Sequence, residues 1–486
     1  FDCYMKKLIN KSIILSLILA LTACNDWLNV SPDDQVNEET LFTDGDGYRN
    51  ALNGIYKDLA DFALYGRELT WGMNEVLGQT YHLNYIPSDH AYYYMAWSMY
   101  DNDKVEAILS SLWEQAYNAI ANCNNLISHI AHADATLFSG KDMELNMIYG
   151  EALALRAFIH LDLLRLFAPA PVVADQKKYI PYMEDYGTLF GDRESVKDCM
   201  NKIIRDLKQA KELLSEVDII PENRIWSKTY YRIEGGRGVV DDNLPRDIFY
   251  MYRGYRMNYW ATTAILARAY MYDGQQALAR EQAQEVIEAT YEENGRTYNC
   301  FSFTSPGDYG VNPKLYDGVI CGFSKSKVAE EYANWQKGTG GLYLCSYLTN
   351  MDAEDWRKDL FRTINWYYSI SVKYDEDNGD TYGSDLLPVI RLSEMYYIVS
   401  EYLYKNGDTE GGVQKLDEVR MERGIAGGKL DIRSVDDFEK ALLADMRKDF
   451  YGEGQVFYQF KRLNRELSSN NKTEFVLPIP KIELIY

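Results

Sequence analysis

Residues 147–167 read MIYGEALALRAFIHLDLLRLF, and residues 168–171 read APAP. A run rich in Ala and Leu, with one Gly and no Pro, describes a helix, and the prolines at 169 and 171 forbid its continuation. Upstream, over 111–132, Leu112, Trp113, Tyr117, Ile120, Cys123, Asn124 and Ile127 recur at three- and four-residue spacing, the stripe of an amphipathic helix. Downstream, 195–217 supplies a return helix with Ile203, Leu207, Ala210, Leu213 and Leu214 on one side. The same unit recurs twice. Residues 256–272 turn at Asp273-Gly274 into 275–289, with Ala264, Ala267, Ala277 and Ala283 where two helices approach closely; 392–405 turn at Asn406-Gly407-Asp408 into 409–423 and stop at Gly424. Each unit has the length of a tetratricopeptide-like hairpin, about 34 residues. The expected fold is mainly α: four such hairpins, with 111–132 as half of the first, stacked into a right-handed scaffold. Two stretches, 72–108 and 291–390, lack helical period and are rich in Gly, Asn, Asp and Tyr, so they are expected to be long irregular loops carrying the binding surface.

Composition narrows the function. With 47% hydrophobic and 26% charged residues over 486, the chain is globular rather than disordered. Length alone suggests about three domains, but one repetitive frame absorbs it. The net charge of −22 gives no source for phosphate neutralisation, so no nucleic-acid partner is expected. The N-terminal residues have a processing signature. Met5 is followed by Lys6, Lys7 and Lys11, an apolar run over 13–21, and then Leu21-Thr22-Ala23-Cys24. This is an export leader over 1–23, too short to span a bilayer, with 1–4 as upstream read-through. Cys24 after Leu-Thr-Ala resembles the bacterial lipobox, so Cys24 is the expected lipid attachment point. The body then divides into halves, 24–230 and 231–486, expected to form one compact unit with a loop-rich insert at 291–390. Its five other cysteines, Cys123, Cys199, Cys300, Cys321 and Cys345, lack disulfide or zinc spacing and read as buried small side chains.

No catalytic motif is present: the sequence has no HExxH, GxSxG, phosphate loop or CxxC, and no cofactor is expected. His129 and His132 read as surface or packed residues, and His160 as a satisfied core imidazole. Glu151, Arg156, Asp162 and Arg165 read as ion pairs that lock the hairpin. Residues 375–380, DEDNGD, invite a calcium reading, but Gly379 falls one place early for an EF-hand loop, and a solvated acidic turn fits better. The sharper signal is aromatic. The chain is 14% aromatic, with 41 Tyr, and Tyr pairs an apolar face with a hydroxyl. Sugars present CH faces for stacking and hydroxyls for hydrogen bonds, so a glycan site needs aromatics interleaved with polar side chains. In 72–108 the candidates are Tyr81, Asn84, Tyr85 and Trp97; in 291–390 they are Arg296, Tyr298 and Trp335, with Tyr309, Asn312, Tyr316 and Phe323 in the same set. Trp97 and Trp335 are the preferred platforms.

Several segments resemble one family, the SusD/RagB-type outer-membrane lipoproteins of Bacteroidetes. Cys24-Asn25-Asp26-Trp27-Leu28 is similar to its mature start. Trp113, Tyr117, Ile120 and Asn124 resemble its W-x3-Y-x2-I-x3-N helix, and Gly150-Glu151-Ala152 through Pro171 its GEAxxLRAF segment. Residues 387–394 with Glu401, then 416–424, resemble its PxxRxxE and LNxVRxRxG pair. Gly452-Glu453-Gly454 with 457–462, and 477–483, resemble its closing motifs. Gln455, Val456 and Met446-Arg447 depart from the usual residues, which leaves local C-terminal packing open. The resemblance implies a non-enzymatic, cell-surface lipoprotein that captures oligosaccharide for a partner TonB-dependent (SusC-like) transporter, with ligand contacts on the two loop regions. Peptide capture, a scaffold without a ligand of its own, and a helical-repeat glycoside hydrolase are the alternatives. Most of these motifs speak to the frame rather than the ligand.

Overall fold

The computed structural model describes residues 38–484 apart from 189, 240–241, 337–340, 365–367, 376–381 and 468–472. The leader, Cys24 and most of the acidic run at 375–380 lie outside the described residues. The principal helices are α1 (Gly45–Leu59), α2 (Ala91–Ala96), α3 (Asp103–Ile130), α4 (Lys141–Phe167), α5 (Val196–Asp218), α6 (Tyr259–Tyr272), α7 (Gln276–Ile287), α8 (Leu392–Lys405), α9 (Thr409–Met421), α10 (Val435–Phe450) and α11 (Val456–Arg462). Side-chain caps start several of them: Asp44, Asn102, Ser195 and Asn258 each accept a hydrogen bond from the first turn.

The hairpins are α1/α3, α4/α5, α6/α7 and α8/α9, and neighbours stack through α3 on α4, α5 on α6 and α7 on α8. The missing half of the first hairpin is therefore α1, which places Tyr48, Leu52, Ile55 and Leu59 on its buried side. Helix α4 is buried on every side from Gly150 to Phe167, because α3, α5 and α1 all pack against it. A helix enclosed in this way needs no polar face, which is why its sequence shows Ala and Leu without a stripe. Gly274 (φ 81°), Gly407 (φ 100°) and Gly424 (φ 90°) occupy the left-handed conformations that the hairpin turns and the last cap require. Helix α6 starts at Tyr259 rather than at 256, since Asn258 is its cap and Arg256 is extended.

The two stretches expected as loops contain short ordered pieces. Besides β1 (Lys178–Pro181) paired with β2 (Arg193–Ser195), there are three antiparallel pairs: β3 (Thr290–Glu293) with β4 (Arg296–Asn299), β5 (Val319–Ser324) with β8 (Leu386–Arg391), and β6 (Phe361–Ile364) with β7 (Tyr368–Ser371). Strand β8 is wholly buried and leads directly into α8. One apolar cluster runs from Tyr48 to Leu477.

The charged motif residues are inside, and they are paired. Glu151 is bound by Arg256 at 2.9 Å and by Arg253, which also holds Asp218 at 2.8 Å. Arg156 does not meet Glu151; it pairs with Asp206 at 2.6 Å and donates to Asn124. Asp162 pairs with Arg165, Arg268 with Glu394 at 2.7 Å, and Arg462 with Glu401 at 2.6 Å. Burial alone would raise the Glu151 carboxyl, but the two guanidiniums outweigh it and hold it below the usual carboxylate range. His160 is enclosed: Nδ1 faces the Arg156 carbonyl at 2.9 Å and Nε2 accepts from the Met183 N–H at 3.0 Å. Burial pushes its pKa down to about 3, so it is a neutral core imidazole. Among the cysteines, Cys123, Cys199, Cys300 and Cys321 are buried and all five are free. Removing Glu151 would leave Arg253 and Arg256 buried without their shared carboxylate. Glu151→Ala is expected to cost about 3–5 kcal/mol, read as a lower urea midpoint.

Candidate functional site

The site is built where the two irregular stretches meet. Residue 344 is the register point: the Leu344 N–H donates to Ser369 O at 2.8 Å, the His82 N–H to Tyr343 O at 2.7 Å and the Cys345 N–H to Thr80 O at 2.9 Å. Three chain segments, 80–82, 343–345 and the start of β7, thus lie side by side. Gly341 (φ 58°) permits the approach, because a Cβ there would fall 2.1 Å from the Tyr85 carbonyl oxygen. This register gathers four rings. Tyr343 stacks on Tyr368 at 4.4 Å, and Tyr85 meets both edge-on at 5.7 and 4.8 Å, with His82 4.5 Å from Tyr85. Tyr85 is 40% exposed, and Asn84 beside it is also exposed.

A second group of rings lies at the start of α2. Trp335 packs against His90 (5.0 Å), Tyr92 (5.2 Å) and Trp71 (6.5 Å), and the Arg67 guanidinium lies 4.8 Å from its ring centre. Its indole N–H donates to Glu331 at 3.0 Å, and the same carboxylate oxygen accepts from Arg67. His90 accepts from the Tyr92 N–H through Nδ1, and burial lowers its pKa, so its Nε2 is the protonated nitrogen, a donor. At the other end of α2, Trp97 is 39% exposed beside Tyr93, 6.4 Å away. The segments 81–97, 331–336 and 341–344 therefore carry half-exposed rings interleaved with Asn84, His90, Arg67 and Glu331.

The anchor for this face is the turn Gly452-Glu453-Gly454. Glu453 is enclosed and holds Arg391 and Lys373, the latter at 2.7 Å. Tyr374 donates to Gly452 O at 2.9 Å, which fixes the segment that follows β7. On the other side the Gly454 N–H donates to Glu75 at 2.8 Å and Asn74 donates to Gly454 O, which fixes the segment that precedes Tyr81. Burial raises the Glu75 carboxyl to about 7. Gln455, a departure from the expected residue, accepts from Arg165 at 3.1 Å, and Met446 and Val456 are buried, so these departures are accommodated in the core.

The expected site residues separate cleanly. Asn84, Tyr85 and Trp97 are exposed on the face, and Trp335 is half-buried in it. Tyr81 is a correction: it is 1% exposed and its hydroxyl donates to Trp71 O at 2.6 Å, because the 343–345 segment covers it. Tyr309, Asn312 and Phe323 are likewise buried, and Tyr316 is half-buried. Arg296 and Tyr298 are exposed, but they lie on β4, in a hairpin that packs against Arg224–Ser227; Tyr298 stacks on Tyr291 of the same hairpin. Sequence reasoning missed Tyr343, Tyr368, Arg67 and Glu331, since only the long-range register brings them to Tyr85 and Trp335. His129 stacks on Phe42 at 4.1 Å, and no metal-holding group of His, Cys, Asp or Glu occurs among the described residues.

A cleft of about 930 Å³ lies between α3 and residues 181–188 and 190–193. Its motif residues are committed to the fold: Tyr117 donates to Pro181 O, Asn124 to Met183 O and Arg193 to Glu483 O.

The fold is a stack of helical hairpins that carries an aromatic, polar-lined face on joined loops. Residues 26–225 match a family described as starch-binding and associating with the outer membrane, and residues 224–475 match the SusD family. The chain belongs to the SusD family. Among solved structures it is similar to a SusD superfamily protein from Bacteroides thetaiotaomicron, at 21% identity and TM-score 0.68, covering 91% of this chain and 98% of that one. A SusD-like carbohydrate binding protein from Bacteroides vulgatus matches at 18% identity and TM-score 0.64 (87% and 84% covered), and a SusD superfamily protein from the same organism at 18% and 0.66 (91% and 97%). At these identities the likeness is one of fold. No curated protein matches the chain.

The two tryptophans differ in what they support. Trp335→Ala removes a ring wedged among three others and is expected to cost about 2–4 kcal/mol, whereas Trp97→Ala is expected to stay within about 0.5 kcal/mol. Thermal melts of the two variants check this.

Proposed function

We propose that this protein binds an oligosaccharide across the face formed by 81–97, 331–336 and 341–344, and passes it to a TonB-dependent outer-membrane transporter. The observation that carries the reading is the union of Tyr85, Tyr343 and Tyr368 with Asn84, at the point where two distant loop segments share one register. Exposed ring planes take the CH faces of pyranoses, while Asn84, His90, Arg67 and Glu331 supply donors and acceptors for hydroxyls. The reading is also supported by the family match, whose description is of starch binding and outer-membrane association. The reading is one of binding, in which Glu331, held by Arg67 and Trp335, serves as a fixed acceptor.

Titration calorimetry against a panel of neutral oligosaccharides tests the face. Tyr85→Ala combined with Tyr343→Ala is expected to weaken binding about 100-fold, at about 1.4 kcal/mol per lost ring, with the variant still folding cooperatively in a thermal melt. Unaltered affinity in that variant, or binding of peptides in place of sugars, would sink the proposal.

Membrane attachment is proposed to run through lipid on Cys24, on the strength of the basic and apolar residues before Leu21-Thr22-Ala23-Cys24. None of the described helices is long and apolar enough to cross a membrane. In cell fractionation, Cys24→Ser is expected to move the protein from the membrane pellet to the supernatant; retention in the pellet would refute the lipid anchor.

A further inference from the structure

A groove of about 600 Å³ opens between the C-terminal half of α1, the 248–256 segment before α6 and the residues that follow β5. Its walls carry four rings, those of Tyr56, Phe62, Tyr252 and Tyr255, and four cations, Lys57, Lys325, Lys327 and Arg256. Such a gathering of cations is unexpected in a chain with 73 acidic and 51 basic residues.

Three features indicate what the groove takes. First, its lysines are unspent. Many basic side chains of this protein are in ion pairs, but Lys57, Lys325 and Lys327 make none among the described residues. The nearby carboxylate of Asp385 accepts from the hydroxyls of Tyr255 and Ser324 and keeps its charge, Asp58 lies near Lys57, and Glu151 beneath Arg256 is shared with Arg253. Lys325 and Lys327 are the cations at the opening that neither pair with a carboxylate among the described residues nor face one as Lys57 does. Second, Arg256 at the floor is only 8% exposed, and although its Nε donates to Glu151, its Nη2 has no acceptor. That nitrogen is itself enclosed, so the guanidinium contributes its charge and its packing on Tyr56 and Phe249 to the floor of the groove rather than an open donor. Third, the rings are held open. Tyr252 sits at φ 55°, ψ 40°, a left-handed conformation uncommon for a bulky side chain, and is 38% exposed. It rests on Gly235, where a Cβ would fall 2.2 Å from its ring. Lys325 lies 4.0 Å from the centre of Phe62, so charge and ring surface are presented together.

We infer that this groove binds an acidic saccharide, a sugar ring bearing a carboxylate or a sulfate ester, with the ring against Tyr252 and the anion toward Lys325 and Lys327. The inference rests on the saccharide-binding reading above and assigns it a charged subsite separate from the Tyr85 face. Rings without cations would take neutral sugars equally well, and cations without rings would take any anion; the pairing selects sugars that carry charge.

The test uses the full chain and calorimetry with three probes of equal length: an oligogalacturonate, a sulfated oligosaccharide and a neutral oligosaccharide. Lys325→Gln combined with Lys327→Gln is expected to weaken at least one acidic probe about tenfold and to leave the neutral probe within about twofold; raising salt from about 50 to 500 mM is expected to erode the same increment. Tyr252→Ala is expected to weaken the acidic probe as well. Which acidic probe responds distinguishes carboxylate from sulfate, and either supports the groove. It is overturned if acidic probes bind no more tightly than the neutral one, if the double lysine variant leaves them unchanged, or if inorganic sulfate alone competes as well as the sulfated sugar. Loss of neutral binding in the Tyr85/Tyr343 variant with acidic binding retained separates the two sites. Absence of binding by all three probes overturns both readings together.

Discussion

A carboxylate enclosed in a protein core must be neutralised where it stands, and Glu453 meets that requirement by drawing two distant cations to one turn. Arg391 arrives from the end of β8 and Lys373 from the segment after β7, so the charge requirement also fixes where those segments run. The flanking glycines complete the turn. With φ near 70° at Gly452 and Gly454, the backbone offers a carbonyl to Tyr374 and an N–H to Glu75. A side chain at either position would be strained, and at 454 it would also strike the Leu69 carbonyl at 2.0 Å. The aromatic face therefore depends on a turn that contributes no residue to it.

The same logic extends through the frame. Glu151, Asp206, Glu394 and Glu401 each sit on one helix and pair with an arginine from another segment, and each is buried. Hydrophobic contact alone tolerates sliding between helices, but a bidentate guanidinium fixes both register and angle. In a stack of hairpins, where each unit touches only its neighbours, such pairs set the relative position of units that packing would leave adjustable. This is also why the motif residues reveal a scaffold and are silent about a ligand: their charges are consumed in construction.

How much could be read from the sequence follows from range. Hairpins α4/α5, α6/α7 and α8/α9 were legible because their signals are local: periodic apolar residues, small residues at close crossings, and glycines at turns. Helix α1 carries the same period in Tyr48, Leu52, Ile55 and Leu59 but was overlooked beside the stronger α4 signal. The proposed face is legible only in part. Tyr-rich composition located the two regions, and Asn84, Tyr85, Trp97 and Trp335 are on the face. Composition could not tell Tyr81 from Tyr85, because their difference is set by a strand register with residues 343–345. Nor could it show that Arg296 and Tyr298 lie on a separate hairpin. Glu151 reads as a pairing residue, but its partner is not legible locally, since Arg253 lies 102 positions away.

The bridge between Tyr81 and Leu344 joins segments separated by more than half the chain, as does the contact of Arg67 with Glu331, 264 residues apart. During synthesis from the N-terminus, Trp71, Tyr81 and Tyr92 exist long before the residues that cover them. Loop closure over such a span must be completed before the contacts reward it, so the binding face is assembled late and its inner rings remain exposed for much of the chain's production. A nascent chain with uncovered aromatics is prone to self-association. The excess of acidic residues, 73 against 51 basic, supplies a countermeasure through mutual repulsion. The negative charge that argues against nucleic acid in the finished protein thus also helps keep the unfinished one apart from its copies.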